Sequence, residues 1–310
     1  MHSVNAVIIN YNTKDLADQC IASLSAELKI FSSSLITVID NASKDGSAEL
    51  IKRKYPEVNL ISNDSNMGFG RAANKAVQLS PESLYVLFVN TDTLPENGIV
   101  KKMYDYMEVN KNCGILSPRL LNEDLSYQNS VANWPSLYNE ILGKRLCRLF
   151  FPAKYLDKTK EINTPIKVES VVGAFFMIRF ECLKEVKGFD ERYFFFLEET
   201  DLCRKMMGIK KDVIFNPFIS IVHLQGASAN KNKIWSRHNF FRSKYQFLKE
   251  WDGNFVLYTV YFKNFTVTFI KTLVYFIAAC LFLFMNPEIN QKLKVAAWLF
   301  VNHFKGFPSL

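Results

Sequence analysis

Two aspartates in this chain end runs of strand-forming residues, and that placement gives them chemical potential. Leu84-Tyr85-Val86-Leu87-Phe88-Val89-Asn90-Thr91-Asp92 is an apolar run that stops in an acid, bounded by Ser80-Pro81-Glu82 and Pro95-Glu96-Asn97-Gly98. It reads as a buried central strand. Ligands of open α/β sheets bind beyond the carboxyl ends of the strands. A carboxylate fixed there can hold a divalent metal on a nucleotide diphosphate, or it can simply cap the next turn. Ser34-Leu35-Ile36-Thr37-Val38-Ile39-Asp40 ends the same way. A weaker strand, Val58-Asn59-Leu60-Ile61-Ser62, leads into a turn with Gly68 and Gly70 at the start of a helix, where backbone N–H groups suit phosphate. The dinucleotide fingerprint needs a third glycine and would follow the first strand. Here Tyr11-Asn12-Thr13 follows it instead, which argues against a nicotinamide or flavin enzyme.

A second set of acids lies downstream. Glu198, Glu199 and Asp201 open a helix just after an aromatic run that ends at Phe196. Acids in a first helical turn can be dipole partners worth about 0.3–1 kcal/mol. In a cleft walled by phenylalanines, one of them can instead be a carboxylate general base whose pKa desolvation raises. His223 ends the last short strand, where it is either structural or able to ligate metal or meet phosphate. With 4 histidines in the whole chain, no His-cluster metal site can be built.

The elements that would present these groups alternate strand and helix. Asn5-Ala6-Val7-Ile8-Ile9-Asn10 is a first strand, followed by a helix with Leu16, Cys20, Ile21 and Leu24 on one face. Strands at 34–41, 58–62 and 84–92 follow, with helices between them, then a helix over about 96–109 and a strand near 114–118. Short connections and this alternation predict a doubly wound, mainly parallel sheet. Residues 119–169 show no regular pattern and read as a variable, acceptor-facing insertion. Regular structure resumes with a strand over 168–179 broken by Gly173, then short strands at 212–215 and 219–223 and a helix over about 233–251.

Composition divides the chain at about residue 230. The net charge is +8, and 27 residues are Phe. Residues 231–310 hold 11 basic and 3 acidic side chains, which leaves the first 230 residues neutral. A basic, Phe-rich, apolar tail points to an anionic membrane surface rather than nucleic acid, for which no recognised module is present. Thr272 to Met285 is free of charge, shorter than the roughly 20 residues a spanning helix needs. It reads as an interfacial or re-entrant helix, with a second amphipathic helix over about 292–304. A span over residues 262–285, disfavoured by Lys271 near its middle at about 2.5–3.5 kcal/mol, is a second reading, and a buried helix pair such as a homodimer interface is a third. The 6 cysteines form no C-x-x-C pair and fit reduced thiols in a cytosolic setting. A strand entered by residue 5 leaves no room for a signal peptide.

The ordered set of motifs resembles the family 2 glycosyltransferases of the GT-A fold, in the bacterial rhamnosyltransferase-like branch that builds surface polysaccharides such as O-antigen. The resemblance is carried by Val7-Ile8-Ile9-Asn10-Tyr11-Asn12, Asp40-Asn41-Ala42-Ser43-Lys44-Asp45-Gly46-Ser47, Asn66-Met67-Gly68-Phe69-Gly70-Arg71, Asn90-Thr91-Asp92, Val172-Gly173-Ala174, Gly188-Phe189-Asp190-Glu191, Phe196-Leu197-Glu198-Glu199-Thr200-Asp201, and His223 with Gly226 and Ser228. It implies a GT-A catalytic domain over 1–230, with a nucleotide-sugar half at 1–118 and an acceptor-binding, catalytic half at 119–230. Residues 231–310 would form a helical, membrane-associating extension. Tyr11, Asn12 and Asp40 would meet the base or ribose. Asn66, Gly68, Arg71, Asn90 and Thr91 would line the nucleotide pocket, and Gly173 and Ala174 the donor sugar. Asp92 and His223 would hold Mg2+ or Mn2+. The family's base is the second acid of a Glu-Asp pair, which falls on Glu199. This chain has Glu-Glu there, so Glu198 and Asp201 remain candidates. The implied reaction is an inverting transfer from a nucleotide-sugar donor, best matched by dTDP-rhamnose with UDP-sugars as the alternative, to a lipid-linked saccharide. The protein would be cytoplasmic and peripherally attached to the inner face of the cell membrane. The Glu-Glu departure also leaves a non-catalytic nucleotide-sugar-binding homologue as a second class of function. A nucleotidyltransferase is disfavoured, because no Gly-rich Lys/Arg signature follows the first strand.

Overall fold

The computed structural model describes residues 2–152, 155, 162–224 and 233–306. The first strand, β1 (His2–Asn10), shows why the sheet is covered on both sides. Ala6 and Ile8 pack into one apolar cluster, and Val7 between them packs into another. A strand with period two can feed two cores only if helices lie on both of its faces. Helix α1 (Lys14–Leu28) covers one face with Ala17, Cys20, Ile21, Leu24 and Leu28, a helical spacing that puts all five on one side. β2 (Ser34–Asp40), α2 (Ser47–Lys54), β3 (Asn59–Ser62), α3 (Phe69–Gln78) and β4 (Ser83–Asn90) continue the strand–helix alternation. In β4, Tyr85, Leu87 and Val89 join the first cluster, and Val86 and Phe88 the second.

The chain then runs through β5 (Thr93–Leu94), α4 (Ile99–Val109), β6 (Cys113–Leu121), β7 (Val131–Ala132), α5 (Leu137–Ile141), α6 (Gly143–Phe150), β8 (Ile166–Lys167), β9 (Ser170–Val171), β10 (Phe175–Arg179), α7 (Phe180–Glu185), α8 (Glu198–Gly208) and β11 (Asp212–His223). The main sheet has nine strands, in the order β3-β2-β1-β4-β10-β6-β11-β5, with β8 on β11. Its β1–β2, β2–β3, β1–β4 and β6–β11 pairs are parallel, and β10 is antiparallel to both neighbours. The order reverses direction at β1, between β2 and β4. This is the switch point where an open sheet leaves a crevice at its carboxyl ends.

Three local expectations change. The segment 168–179 is two strands, not one interrupted strand: β9 pairs with β7 in a separate ribbon, and Gly173 lies in the turn before β10. The two short strands expected after 212 are one strand, β11, whose register shifts between Asn216 and Ser220, around Pro217. Proline has no N–H for the ladder, so pairing is lost there and recovers beyond it. The third change lies in the tail. Helix α10 runs unbroken from Gly253 to Leu281, 29 residues, between α9 (Lys233–Trp251) and α11 (Pro287–Phe304). Lys263 and Lys271 interrupt the charge-free run but not the helix. At about 43 Å it is long and apolar enough to cross a membrane by length and composition.

The chain divides into two compact units. One comprises Met1–Trp134 with Lys158–Ala227, and the other Pro135–Asp157 with Ser228–Leu310. The second unit therefore includes α5 and α6. Its core joins Tyr245, Leu248, Leu257, Val260 and Leu299.

Candidate active site

The carboxyl ends of β1, β2 and β4 lie side by side, with Asn10 in register with Asp40, and Ile9 with Asn90. Asn10 ties them together. Its amide donates to Asp40 Oδ1 at 2.8 Å and to Ser43 Oγ at 3.1 Å, and its Oδ1 accepts from the Thr13 hydroxyl at 2.7 Å. Thr13 has then used its proton, so the 3.0 Å contact to Thr91 has the Thr91 hydroxyl as donor. The second Asp40 oxygen accepts the Ser43 N–H at 2.9 Å. Asp40 is 3% exposed with both oxygens engaged inside the chain. Asn12, in the left-handed region at φ 55°, closes the same knot, donating through its N–H to Ser43 and accepting from the Lys44 N–H at 2.7 Å. Tyr11, beside it, is exposed.

Asn41 fastens the next loop. Its amide donates to Asn66 Oδ1 at 2.9 Å and to the Gly68 carbonyl at 3.3 Å, and its Oδ1 accepts from Asn63 and from the Met67 N–H. Gly68 has φ +81°, and an added Cβ would stand 2.3 Å from the Phe194 carbonyl oxygen. Only glycine fits such an approach. Arg71 turns to another partner, donating to the Glu191 carbonyl at 3.1 Å with Glu191's carboxylate 3.7 Å away.

Asp92 and His223 meet across the sheet. β5 and β11 pair antiparallel with His223 opposite Thr93, and the Leu224 N–H donates to the Asp92 carbonyl at 2.8 Å. Asp92 Oδ1 lies 3.3 Å from His223 Nε2. Gln128 holds the other side of the imidazole. Its Nε2 donates to the His223 carbonyl at 2.6 Å, and its Oε1 lies 2.9 Å from Nδ1. A carbonyl only accepts, so the amide nitrogen must face it. Oε1 then faces Nδ1, and Nδ1 carries the proton. Nε2, the atom toward Asp92, is left for ligation. A carboxylate and an imidazole with its second nitrogen hydrogen-bonded are a fitting pair for a divalent cation that takes its other ligands from phosphate and water. Among the described residues no cluster of three or more His, Cys, Asp or Glu side chains forms a protein-only cage.

The downstream acids are aimed by strained backbone. Phe196 and Leu197 are consecutive residues at φ 69° and 66°, a conformation that costs a non-glycine residue on the order of 1–3 kcal/mol. They precede Glu198, and the Asp201 N–H closes the turn on the Leu197 carbonyl at 2.8 Å. Glu199 lies against Gly173, where a Cβ would be 3.3 Å from Glu199 Cγ. Burial pushes Glu199 up to about 7, although N–H groups of its own turn and of Gly173 pull the other way. Burial raises Glu198 well above the carboxylate range, and the charge of Glu199 adds to that. Glu198 is 6% exposed, and its Oε2 meets no hydrogen-bond partner among the described residues. Asp201 is fully buried and paired with Lys205 at 3.1 Å. Ala174 is buried, and its carbonyl accepts the Asn90 N–H at 2.8 Å.

The structure therefore gathers Tyr11, Asn12, Asp40, Asn90 and Thr91 at one crevice, joins Asn66 to Gly68 through Asn41, and brings Asp92 to His223 and Glu199 to Gly173. It sends Arg71 and Asp201 to ion-pair partners. Gly226 and Ser228 lie outside the described residues. Gln128 and the hub role of Asn41 have no signal in the sequence: Gln128 stands 95 positions from its partner in a stretch without periodicity.

A doubly wound sheet with acid-bearing loops at its switch point and a helix-borne acid pair behind them defines a GT-A type enzyme. Its likeness to solved structures is one of fold. GalNAc-T7 with UDP, GalNAc and Mn2+ superposes with a TM-score of 0.54 at 15% identity, over 73% of this chain and 44% of that one. The mannosyltransferase PcManGT from Pyrobaculum calidifontis, in complex with GDP-Man and Mn2+, gives 0.55 at 14%, over 97% of this chain and 86% of that one. The profile of glycosyl transferase family 2 matches residues 6–187, more than half the chain, and the protein belongs to that family. It is a glycosyltransferase of the rhamnosyltransferase-like kind. The N-acetylglucosaminyl-diphospho-decaprenol L-rhamnosyltransferase of Mycobacterium tuberculosis is 24% identical over 258 residues, 79% of this chain and 83% of its own length. Rhamnosyltransferase WbbL of Escherichia coli (strain K12) is 26% identical over 216 residues, 66% of this chain and 76% of its own.

Proposed function

We propose that this enzyme transfers rhamnose from dTDP-rhamnose to a lipid-linked saccharide, with inversion, in the building of a bacterial surface polysaccharide. The observation that carries the reading is the contrast within the acid pair. Burial pushes Glu199 up to about 7 beside Gly173, while burial and the charge of Glu199 push its neighbour Glu198 well above the carboxylate range. A carboxylate poised near neutral pH suits a general base that takes the proton of an acceptor hydroxyl. The relatives, an L-rhamnosyltransferase named for a diphospho-decaprenol sugar and a second rhamnosyltransferase, support the donor and acceptor class.

In this mechanism Tyr11, Asn12 and the knot built on Asp40 shape the base and ribose pocket. Asn66 and Gly68 present the loop that lies along the nucleotide, and Asn90 and Thr91 carry the chain into Asp92. Gly173 and Ala174 border the sugar, where a side chain would displace Glu199. Glu199 removes the acceptor proton as the acceptor oxygen attacks the anomeric carbon. Asp201 holds the first turn of α8 and is a positioning residue. Asp92 and His223 would hold Mg2+ or Mn2+, which supplies charge neutralisation for the departing nucleoside diphosphate. Residues 1–118 form the donor half and 119–230, apart from the α5–α6 segment that belongs to the second unit, the acceptor half. The basic, apolar helices of 231–310 keep the enzyme at the inner membrane surface, where Lys271 on α10, exposed, favours an interfacial position over a spanning one.

The test is release of nucleoside diphosphate from a panel of dTDP- and UDP-sugars, with and without Mn2+ or Mg2+. Turnover with dTDP-rhamnose that needs the cation and is lost in Asp92→Ala supports the reading. Full activity in Asp92→Ala removes the metal assignment, and exclusive use of a UDP-sugar replaces the donor. Resistance to carbonate extraction from membranes would replace the peripheral attachment with a spanning one.

A further inference from the structure

Residues 138–151 present more apolar surface than a water-facing hairpin tolerates. Tyr138, Ile141, Leu146, Leu149, Phe150 and Phe151 are all exposed, Leu149 at 73% and Phe150 at 63%. The residue that α6 buries is Cys147, whose thiol donates to the Tyr138 carbonyl. The helix packs by a small side chain and leaves its large ones outside. Contiguous apolar surface of this kind marks a contact with a protein or a membrane. Residues 143–150 also carry three basic side chains and no acid, and Arg145 is exposed. A symmetric contact between copies would bring those like charges together, whereas anionic headgroups would neutralise them.

The rest of this unit is built the same way round. On α10 the inward face holds Asn264, which donates to the Tyr245 hydroxyl at 3.1 Å, and Thr268, which donates to the Asn264 carbonyl at 2.9 Å. The outward face carries Phe255 at 78% and Phe262 at 70% exposure. Leu257, Val260 and Ala279 share that buried side with these satisfied polar groups, so α10 is apolar on both faces, with phenylalanines where a water-soluble helix carries polar residues. Glu140 of α5 fastens the hairpin into this unit. Its Oε2 accepts from Lys244 of α9 at 3.0 Å and from Lys263 of α10 at 3.4 Å, and the Lys244 side chain is 5% exposed.

We propose that α5–α6 is a second membrane-contacting element, encoded inside the catalytic sequence but assembled with the C-terminal helices, and that Leu146, Leu149 and Phe150 sit in the headgroup–acyl boundary of an anionic bilayer with Arg145 at the phosphates. An eight-residue helix with this composition lies in the interface plane rather than across it. The inference rests on the membrane reading of the C-terminal helices given above, and the experiment separates the two.

The full chain is labelled with an environment-sensitive fluorophore at Phe150→Cys in a Cys280→Ser background. Cys280 is the exposed native thiol, and the other five cysteines are buried. Addition of phosphatidylcholine–phosphatidylglycerol vesicles shifts the emission to the blue, pure phosphatidylcholine shifts it less, and the same label at Val109→Cys on α4 does not respond. Leu149→Glu with Phe150→Glu lowers the fraction of protein floating with anionic vesicles several-fold. Flotation without a shift at position 150 overturns the role of α6 and leaves the C-terminal helices as the anchor. Neither flotation nor shift overturns both readings. A blue shift without lipid that grows with protein concentration means that a second copy covers this face, and overturns the bilayer as its occupant.

Discussion

Arg179 and Glu199 are ionisable side chains set against the same sheet, and β10 runs between them. At its far end Arg179 is 7% exposed, and its guanidinium donates to the Cys113 carbonyl at 2.9 Å, the Tyr85 hydroxyl at 2.8 Å, the Asn110 carbonyl at 3.2 Å and the Met107 carbonyl. Just before its near end Gly173 faces Glu199, whose neighbour Glu198 has a buried oxygen without a partner among the described residues. The far end lies at the start of β4, with Arg179 opposite Tyr85, and the near end at its close, with Phe175 opposite Val89. A buried charge with its donors placed is a structural joint, costly to break and inert. A buried acid left short of donors is held at a perturbed pKa by the surrounding fold, which is how catalytic groups are made. The same physical situation, charge against a sheet, serves opposite ends because Arg179 meets four acceptors, whereas at the other end Glu199 accepts from backbone N–H groups and Glu198 keeps an oxygen without a partner among the described residues.

Substitution at the two ends should therefore split activity from stability. Glu199→Gln keeps the shape and removes the base, so kcat falls about 10²–10⁴-fold, measured as nucleoside diphosphate release. Its effect on stability has a definite sign. Glu199 titrates at about 7 in the fold against an ordinary 4.5. A raised acid favours the fold below pH 4.5, and that advantage is lost as pH rises through about 7. At pH 8 the wild type carries a partly desolvated anion that Gln does not, so Glu199→Gln melts at a higher temperature there, and the gap closes near pH 4. The wild-type kcat/KM rises with pH through about 7 as the base ionises. Arg179→Ala does the reverse. Leaving the carbonyls of Cys113, Met107 and Asn110 without their donor destabilises the fold by about 3–5 kcal/mol in a urea titration, while the folded fraction keeps its kcat. A loss of kcat in Arg179→Ala at full folding would erase the distinction.

The near end was the more legible in sequence, and the reason is positional. Strand-terminal acids such as Asp40 and Asp92 follow apolar runs that announce the strand, and parallel strands place their carboxyl ends together. Glu198 and Glu199 follow an aromatic run and open a helix. Each signal is local. The doubly wound order follows from the strand–helix alternation and its short connections, whereas the two cores that put α1 and α3 on opposite faces are seen only in the packing. What could not be read depends on distant pairing. Arg179 looks like any basic residue ending a strand, and its four partners come from β4, α4, the turn before β6 and the first residue of β6. Gln128 meets His223 only because β6 and β11 run side by side. The Glu140 joint joins residues 104 positions apart. The two lysines of α10 shorten the charge-free run that the sequence shows, but lysine has good helix propensity, and the long stem of half-buried Lys263 reaches Glu140 without breaking the backbone.

Gln128 tests whether the near end is really held open for a ligand. Gln128→Leu removes both bonds to His223 and frees the imidazole to turn or change tautomer. Outer-sphere partners of this kind are worth about 10–100-fold in metal affinity. The expected result is a weaker Mn2+ dissociation constant by that factor, read from the free-Mn2+ electron paramagnetic resonance signal in the presence of dTDP, with an unchanged melting temperature. His223→Ala should weaken Mn2+ as much or more, and adding Gln128→Leu to it should cost nothing further. If the two losses add, Gln128 acts through general packing and not through His223.

The smallest effect is the most discriminating. Glu198 and Glu199 are adjacent acids in one cleft, and the sequence leaves open which is the base. Burial and the charge of Glu199 both raise Glu198 well above the carboxylate range, which favours its protonated form. Gln has nearly the shape and the charge of a protonated Glu. Glu198→Gln should then change kcat only a few-fold and leave the midpoint of the pH–kcat/KM profile near 7, because the net charge facing Glu199 is the same before and after. If Glu198 were the ionised partner, the same substitution would remove an anion beside Glu199, and the midpoint would drop toward the ordinary carboxylate range. A collapse of kcat as deep as that of Glu199→Gln would instead make Glu198 the group that takes the proton. The profile thus separates the two carboxyl groups without a bound substrate analogue, and it does so because the fold has left one of them nothing to ionise against.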